Sequence, residues 1–232
     1  MVAISPDHII IYNWHGMSLN ATLLFSWLVM ALLALFSWSV TRRLDADPEI
    51  GLRQNLLESV VSAIAVQVRD ITNHDPEPFL PFLATLFLYI VVCNLLPMIP
   101  GFIPPTGSLS TTTALALCVF VAVPYFGITA HGLRNYLRSY VTPTPFMLPF
   151  VLVGEISRTF ALAVRLFGNV MSGTMMGAIL LVLAPLFVPV LMQMFGLLIG
   201  LLHAYIFSVL AAVFISAGIE AHEITQHKTA KE

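Results

Sequence analysis

Charge is what this sequence has least of. Asp, Glu, Lys and Arg make up 9% of its 232 residues, against roughly 25% in soluble domains, whose surfaces must stay wet. Too little charge is present to coat a water-facing surface, so most of the exterior must face lipid. The few charges nearly balance, ten Lys and Arg against twelve Asp and Glu, which excludes a basic nucleic-acid binder. Cysteine is almost missing as well. Cys93 and Cys118 both sit inside apolar runs and read as small core residues, which leaves no disulfide framework and no thiolate metal site. Neither a Gly-rich phosphate loop nor a nucleophile elbow occurs, and nothing in the sequence calls for a cofactor. What fills the chain is apolar: 58% of residues are hydrophobic, and the mean hydropathy is +0.91. The composition predicts an all-α integral membrane protein, one membrane domain over 1–232.

A membrane helix needs roughly 20 mostly apolar residues to cross about 30 Å of hydrocarbon. Apolar runs at about 19–40, 79–99, 109–130, 146–184 and 188–219 predict five transmembrane helices. The run at 146–184 would reach about 58 Å at roughly 1.5 Å per residue, so it must tilt steeply or begin along the interface. Pro185 and Pro189 bracket a short turn that folds the last two runs into a long, tilted antiparallel hairpin. Between the first two runs, about 50–71, apolar residues such as Leu56, Leu57, Val60, Val61, Ile64 and Val68 recur at spacings of three and four among Arg53, Glu58 and Arg69. That pattern predicts an amphipathic helix lying on the membrane interface or packed on a soluble partner. The last dozen residues read as a mobile polar tail.

Basic residues set the orientation. Arg42, Arg43, Arg53 and Arg69 follow the first run, Arg134 and Arg138 the third, and Lys228 and Lys231 the fifth. The N-terminal stretch, the loop 100–108 and the turn 185–189 contain no Lys or Arg. With the N-terminus outside and the C-terminus in the cytoplasm, every basic loop is cytoplasmic. The first run has no preceding Lys or Arg and is too long for a signal peptide, so it is expected to remain as a mature span.

The fourth run holds ionisable groups where lipid should exclude them: Glu155, Arg158 and Arg165. Measured from Glu155 at about 100° per residue, Arg158, Arg165, Asn169 and Ser172 fall at about 300°, 280°, 320° and 260°. They share one stripe, with Glu155 at its edge. Arg165 stands out because a guanidinium cannot shed its charge by losing a proton. Glu155 is better placed for Arg158 at i,i+3, so Arg165 has no obvious carboxylate in its own chain and its anion is expected from another subunit. A structural clamp that snorkels or bonds carbonyls is the competing reading. Arg158 reads either as the partner of Glu155 near the inner interface or as a functional cation, and Asn169 either as a packing residue or as part of the site.

Folding the hairpin pairs residue i with roughly 373 − i. Arg165 then lies level with about Ser208, Arg158 with about Ile215, and His203 about one turn from Arg165. His203 and Gln193 are the main polar interruptions of the last run. A lone His in an apolar helix is commonly a satisfied core residue, and the depth of His203 beside Arg165 supports a functional role as the alternative. His222-Glu223-Ile224-Thr225-Gln226-His227 imitates a zinc-hydrolase motif, but its histidines are five apart and would not share a helix face.

The segment from Ser157 to Asn169, ending Arg165-Leu166-Phe167-Gly168-Asn169, resembles the signature of subunit a of the membrane (Fo) sector of F-type ATP synthases. So do His203-Ala204-Tyr205-Ile206-Phe207-Ser208-Val209-Leu210, Pro81-Phe82-Leu83-Ala84-Thr85-Leu86-Phe87, and the stretch from Pro105-Thr106-Gly107-Ser108 to Leu117. These segments occur in the family's order, and the likeness runs from about Leu19 to Glu220. The resemblance implies a non-catalytic stator subunit with two offset ion half-channels, lying against a rotating c-subunit ring and joined to the subunit b stator stalk and other ATP synthase subunits. It maps the family's essential arginine onto Arg165, its neighbouring asparagine onto Asn169, and the polar residue of the last helix, more often Gln, onto His203. Where the family commonly carries a Glu/His pair along an ion path, this chain has Thr174 and Gly196. That departure bears on the outer half-channel and on whether H+ or Na+ is carried.

The expected activity is coupling of ion flow to ATP synthesis or hydrolysis. The ion-translocation residues expected are Arg165, Asn169, His203, Arg158, Glu155, Ser172 and Gln193. The expected location is a bacterial inner membrane, with no nucleic-acid partner. A stand-alone secondary transporter or channel binding an anionic substrate at Arg165 is the alternative, against which stands the lack of an inverted hydropathy repeat. An intramembrane enzyme is a further alternative, for which no coherent metal or nucleophile set is present.

Overall fold

A computed structural model describes residues 10–14, 17–42, 52–72, 77–99, 101–136, 146, 148–183 and 188–229. Six long helices dominate: α1 (Ala21–Thr41), α2 (Leu52–Thr72), α3 (Leu80–Leu95), α4 (Leu109–His131), α5 (Leu148–Leu183) and α6 (Val188–Thr229). Among the described residues, four stretches are long and apolar enough to cross a membrane: Ala21–Ser39, Leu80–Met98, Leu109–Ala130 and Val190–Ile219. The helix α5, at 36 residues, is not among them. It is the helix that carries Glu155, Arg158, Arg165 and Asn169 in its length.

Two features depart from the reading of the sequence. A small antiparallel hairpin, β1 (Ile10–Trp14) and β2 (Met17–Asn20), precedes α1 and pairs Trp14 with Met17 and Ile10 with Asn20. Its Ile, Tyr and Trp residues favour extended backbone, but so short a segment has no periodicity that reads clearly. The second departure is at the C-terminus. There α6 continues to Thr229, because Glu, Ala and Gln in the segment after 219 propagate a helix already nucleated by its apolar part; the expected polar tail is helical over most of its length. Pro189 lies just inside the start of α6, which begins at Val188 where the last apolar run was expected to begin. It is the second residue of α6, a position that tolerates proline because the first N–H groups of a helix need no intrahelical acceptor; residues 184–187 and Pro185 among them lie outside the described residues.

Helices α3, α4, α5 and α6 pack around a common core. Leu83, Leu86 and Ile90 of α3 enter it, with Ala116, Val119, Ala122 and Val123 of α4. Leu162, Ala163 and Leu166 of α5 and Ala204, Phe207, Ala211, Ala212 and Ile215 of α6 complete it. The buried face of α6 is made largely of small residues, which lets neighbouring backbones approach closely where lipid supplies no hydrophobic drive. A Cβ built on Gly218 would stand 3.0 Å from Val123 Cγ1, and one on Gly127 would stand 2.6 Å from the ring of Tyr136. Gly132, at φ 80°, ends α4 with its N–H on the Ile128 carbonyl at 2.7 Å.

The amphipathic helix α2 docks on its own chain at its C-terminal end. Val68 joins the core, Thr72 is fully buried, and the Ser216 hydroxyl of α6 donates to the Thr72 carbonyl at 3.3 Å. Elsewhere the surface is apolar: Trp27, Trp38, Phe150, Phe160 and Val182 are all more than half exposed. Such a surface is stable in lipid and costly in water.

The polar stripe of α5 and the junction of α3 with α4

Helix α5 turns Leu162, Ala163 and Leu166 into the core and leaves Ala161, Val164, Arg165 and Gly168 exposed. At about 100° per residue, Arg165 lies roughly 100° around the helix from that buried strip. Among the described residues no carboxylate lies within ion-pair distance of its guanidinium, and no acceptor is hydrogen-bonded to it. Gly168, one turn on, has nothing within 4 Å of the place a Cβ would occupy, so the surface beside the cation is open to close approach. Asn169 is half-buried, and its carboxamide makes no hydrogen bond among the described residues.

The other residues singled out from the sequence are engaged differently. Arg158 Nη1 lies 3.6 Å from Glu155 Oε1, with the Arg158 side chain 54% exposed. Its guanidinium also stands over the Phe214 ring of α6, 5.8 Å from the centroid, one residue from the position that hairpin pairing predicts. A cation over an aromatic face is attracted by the ring quadrupole, so this contact ties the two helices in register. Ser172 donates to the Asn169 carbonyl at 3.0 Å. His203 is half-buried with Nδ1 3.0 Å from the Ile199 carbonyl of its own helix. With a carbonyl as its partner, Nδ1 carries the proton, and Nε2 is the nitrogen left to accept one. Gln193 Nε2 donates to the Pro97 carbonyl at 3.3 Å and links the start of α6 to the end of α3.

The structure thus groups Glu155, Arg158, Arg165, Asn169 and Ser172 on one helix and leaves Gln193 apart from them, at the α3 end of the molecule. Ser208, expected level with Arg165, is turned into the core with no hydrogen-bond partner for its hydroxyl among the described residues, whereas Arg165 is on the exposed side. Where relatives were expected to carry an ionisable pair, the Thr174 hydroxyl bonds the carbonyls of Val170 and Met171 at 3.2 and 2.9 Å, and a Cβ built on Gly196 would meet no other part of the described chain within 4 Å. No three His, Cys, Asp or Glu side chains among the described residues are grouped to hold a metal ion.

A second polar region escaped the reading of the sequence. At the junction of α3 and α4, the Asn94 carboxamide donates to the Gly200 carbonyl at 3.0 Å and accepts from the Thr106 hydroxyl at 3.5 Å. Thr106, Ser108 and Thr112 are fully buried beside it. A lone amide inside an apolar span was the available signal, but Asn94 lacks the periodic company that made the α5 stripe visible.

Comparison with known proteins gives these observations a family. The profile described as ATP synthase A chain matches residues 23–216. ATP synthase subunit a 2 of Acaryochloris marina is 56% identical over 224 residues, covering 97% of this chain and 94% of that protein. ATP synthase subunit a of Albidiferax ferrireducens is 54% identical over 214 residues, covering 92% and 93%. The subunit a of Nitrosospira multiformis is 52% identical over 214 residues, covering 92% and 85%. A chain of exposed apolar helices, matched over nearly its whole length by these proteins, belongs to the ATP synthase A chain family, the non-catalytic, ion-conducting subunit a of the membrane sector.

Proposed function

We propose that this chain is the stator of the membrane sector, that it crosses the bilayer five times with its N-terminus outside, and that Arg165 faces a ring of carboxylate-bearing c subunits. The span to be added to the four apolar stretches is α5, fourth in chain order and tilted so that its polar stripe runs beside the ring rather than through lipid. The reading of α1 as ending at the cytoplasmic face is supported by Arg42, whose guanidinium lies 4.9 Å from the centroid of Trp38; basic and aromatic side chains together anchor a helix at the interface. The b stalk and the remaining ATP synthase subunits are the other partners, in a bacterial inner membrane.

The mechanism follows from charge in a medium of low dielectric. A rotor carboxylate crossing lipid is neutral, because an isolated anion there is strongly disfavoured. Opposite Arg165 its ionised form is favoured and its pKa falls, so the bound ion leaves. One polar path receives that ion, while an offset path loads the next rotor site from the other compartment. The fixed cation repels ions that would run straight between the two paths, and net flow therefore requires rotation. Each elementary charge crossing about 100 mV yields about 2.3 kcal/mol, so several must cross for each ATP made. Asn169 and the free Nε2 of His203 are polar groups available to such a path, and the Glu155–Arg158 pair lies toward its cytoplasmic end.

The observation that carries this reading is an exposed arginine, in a largely apolar helix, with no carboxylate within ion-pair distance among the described residues. In assembled complexes, Arg165→Ala should lower ion-driven ATP synthesis at least 100-fold while the chain still inserts in normal amount. Native synthesis rates in that variant would overturn the reading.

A further inference from the structure

We propose that Asn94 is a positioning residue that sets the rotation of α6 against α3 and thereby holds His203 where the ion path needs it. This rests on the reading of His203 as a path residue. Two independent observations meet at one point. Asn94 Nδ2 donates to the carbonyl of Gly200 at 3.0 Å, a link between residues 106 positions apart. A Cβ on Gly200 would fall 2.9 Å from Asn94 Cβ, 3.0 Å from its Cγ and 3.2 Å from its Nδ2. The contact therefore needs the amide on one helix and a bare backbone on the other.

The geometry acts on His203 through the helix. Gly200 is buried and Ala204, one turn further on the same face, is fully buried. His203 lies about 60° from Gly200 around the axis, at the edge of that face, and it is half-buried there. Turning α6 by a single residue, about 100°, would carry His203 across to the far side. Apolar packing alone resists such a turn weakly in a membrane, since lipid solvates an exposed Leu as well as the core does. A directional hydrogen bond resists it. The amide is itself held, because its Oδ1 accepts from the fully buried Thr106 at 3.5 Å. Gln193 adds a second tie two turns earlier on α6, on the Pro97 carbonyl at 3.3 Å.

The test measures ATP synthesis per assembled complex in membrane vesicles. Asn94→Leu keeps the volume and removes the donor; it should assemble normally and synthesise about fivefold more slowly. Gly200→Ala should lose at least tenfold, and combining it with Asn94→Gly, which moves the Cβ from one helix to the other, should restore the rate to that of Asn94→Gly alone. In a His203→Leu background the effect of Asn94→Leu on the remaining rate should shrink below twofold, because the group being positioned is gone. Native rates in Asn94→Leu, no rescue in the double variant, or a full fivefold effect in the His203→Leu background would each overturn the proposal. A His203→Leu control separates the two readings. If that variant synthesises at the native rate, the path reading of His203 fails and the positioning role fails with it; if it is defective while Asn94→Leu is native, only the positioning role is lost.

Discussion

The junction of α3 with α4 and the stripe of α5 both set polar groups in an apolar protein, and they treat them in opposite ways. At the junction the groups are buried and paired: Thr106 on Asn94, Ser108 with Ser110 at 2.6 Å, Thr112 on the Leu109 carbonyl at 3.1 Å. On α5 the Arg165 cation is exposed and has no ion-pair or hydrogen-bond partner among the described residues. A polar atom bonded within its own chain has its desolvation offset and serves as adhesive between helices. A permanent cation on an apolar helix has no such offset among the described residues, and it is this difference that the proposed counter-charge from the rotor would make up. Arg158 lies between these cases, paired with Glu155 and resting over Phe214.

Substitutions can break or sharpen that contrast. The largest effect is expected from Arg165→Ala, where coupled synthesis should vanish without loss of inserted protein; a loss that merely followed the amount of chain in the membrane would erase the distinction between stripe and junction. Next comes Gly127→Leu. A side chain there meets the Tyr136 ring at 2.6 Å, so immunoblots of membranes should show several-fold less chain, with activity per remaining complex near native. Arg158→Ala should be milder than Arg165→Ala, about two- to fivefold in ATP-driven ion pumping, since its charge is already shared with Glu155; complete loss would mean that the two arginines have been ranked wrongly. The smallest change is expected from Thr106→Val, which removes one membrane-buried hydrogen bond of about 0.6 kcal/mol. It should lower the unfolding temperature of the purified complex slightly and reduce ion pumping per complex by less than twofold, well short of the effect expected of Asn94→Leu.

Much of this contrast was legible from residue order. The α5 stripe shows itself because Arg158, Arg165, Asn169 and Ser172 repeat at helical spacing, and spacing along one helix is a local property. Asn94 was invisible for the complementary reason. It is one amide in an apolar run, and its partner Gly200 is a residue with no side chain to read. The docking of α2 lay between the two. Its amphipathic face was plain, but the contact of its C-terminal end with α6, where Ser216 reaches the Thr72 carbonyl, is one the pattern of α2 does not encode.

Residue order by itself determined that the chain lives in lipid, where its long helices run, and which helix carries a charge that cannot be neutralised, since hydropathy and the 3.6-residue period depend only on neighbours in sequence. Tertiary structure decided which side of each helix faces outward: Arg165 to the surface, Ser208 into the core, Gly200 against Asn94. Those outcomes depend on how closely two backbones can approach, and that distance is set jointly by side chains far apart in the chain.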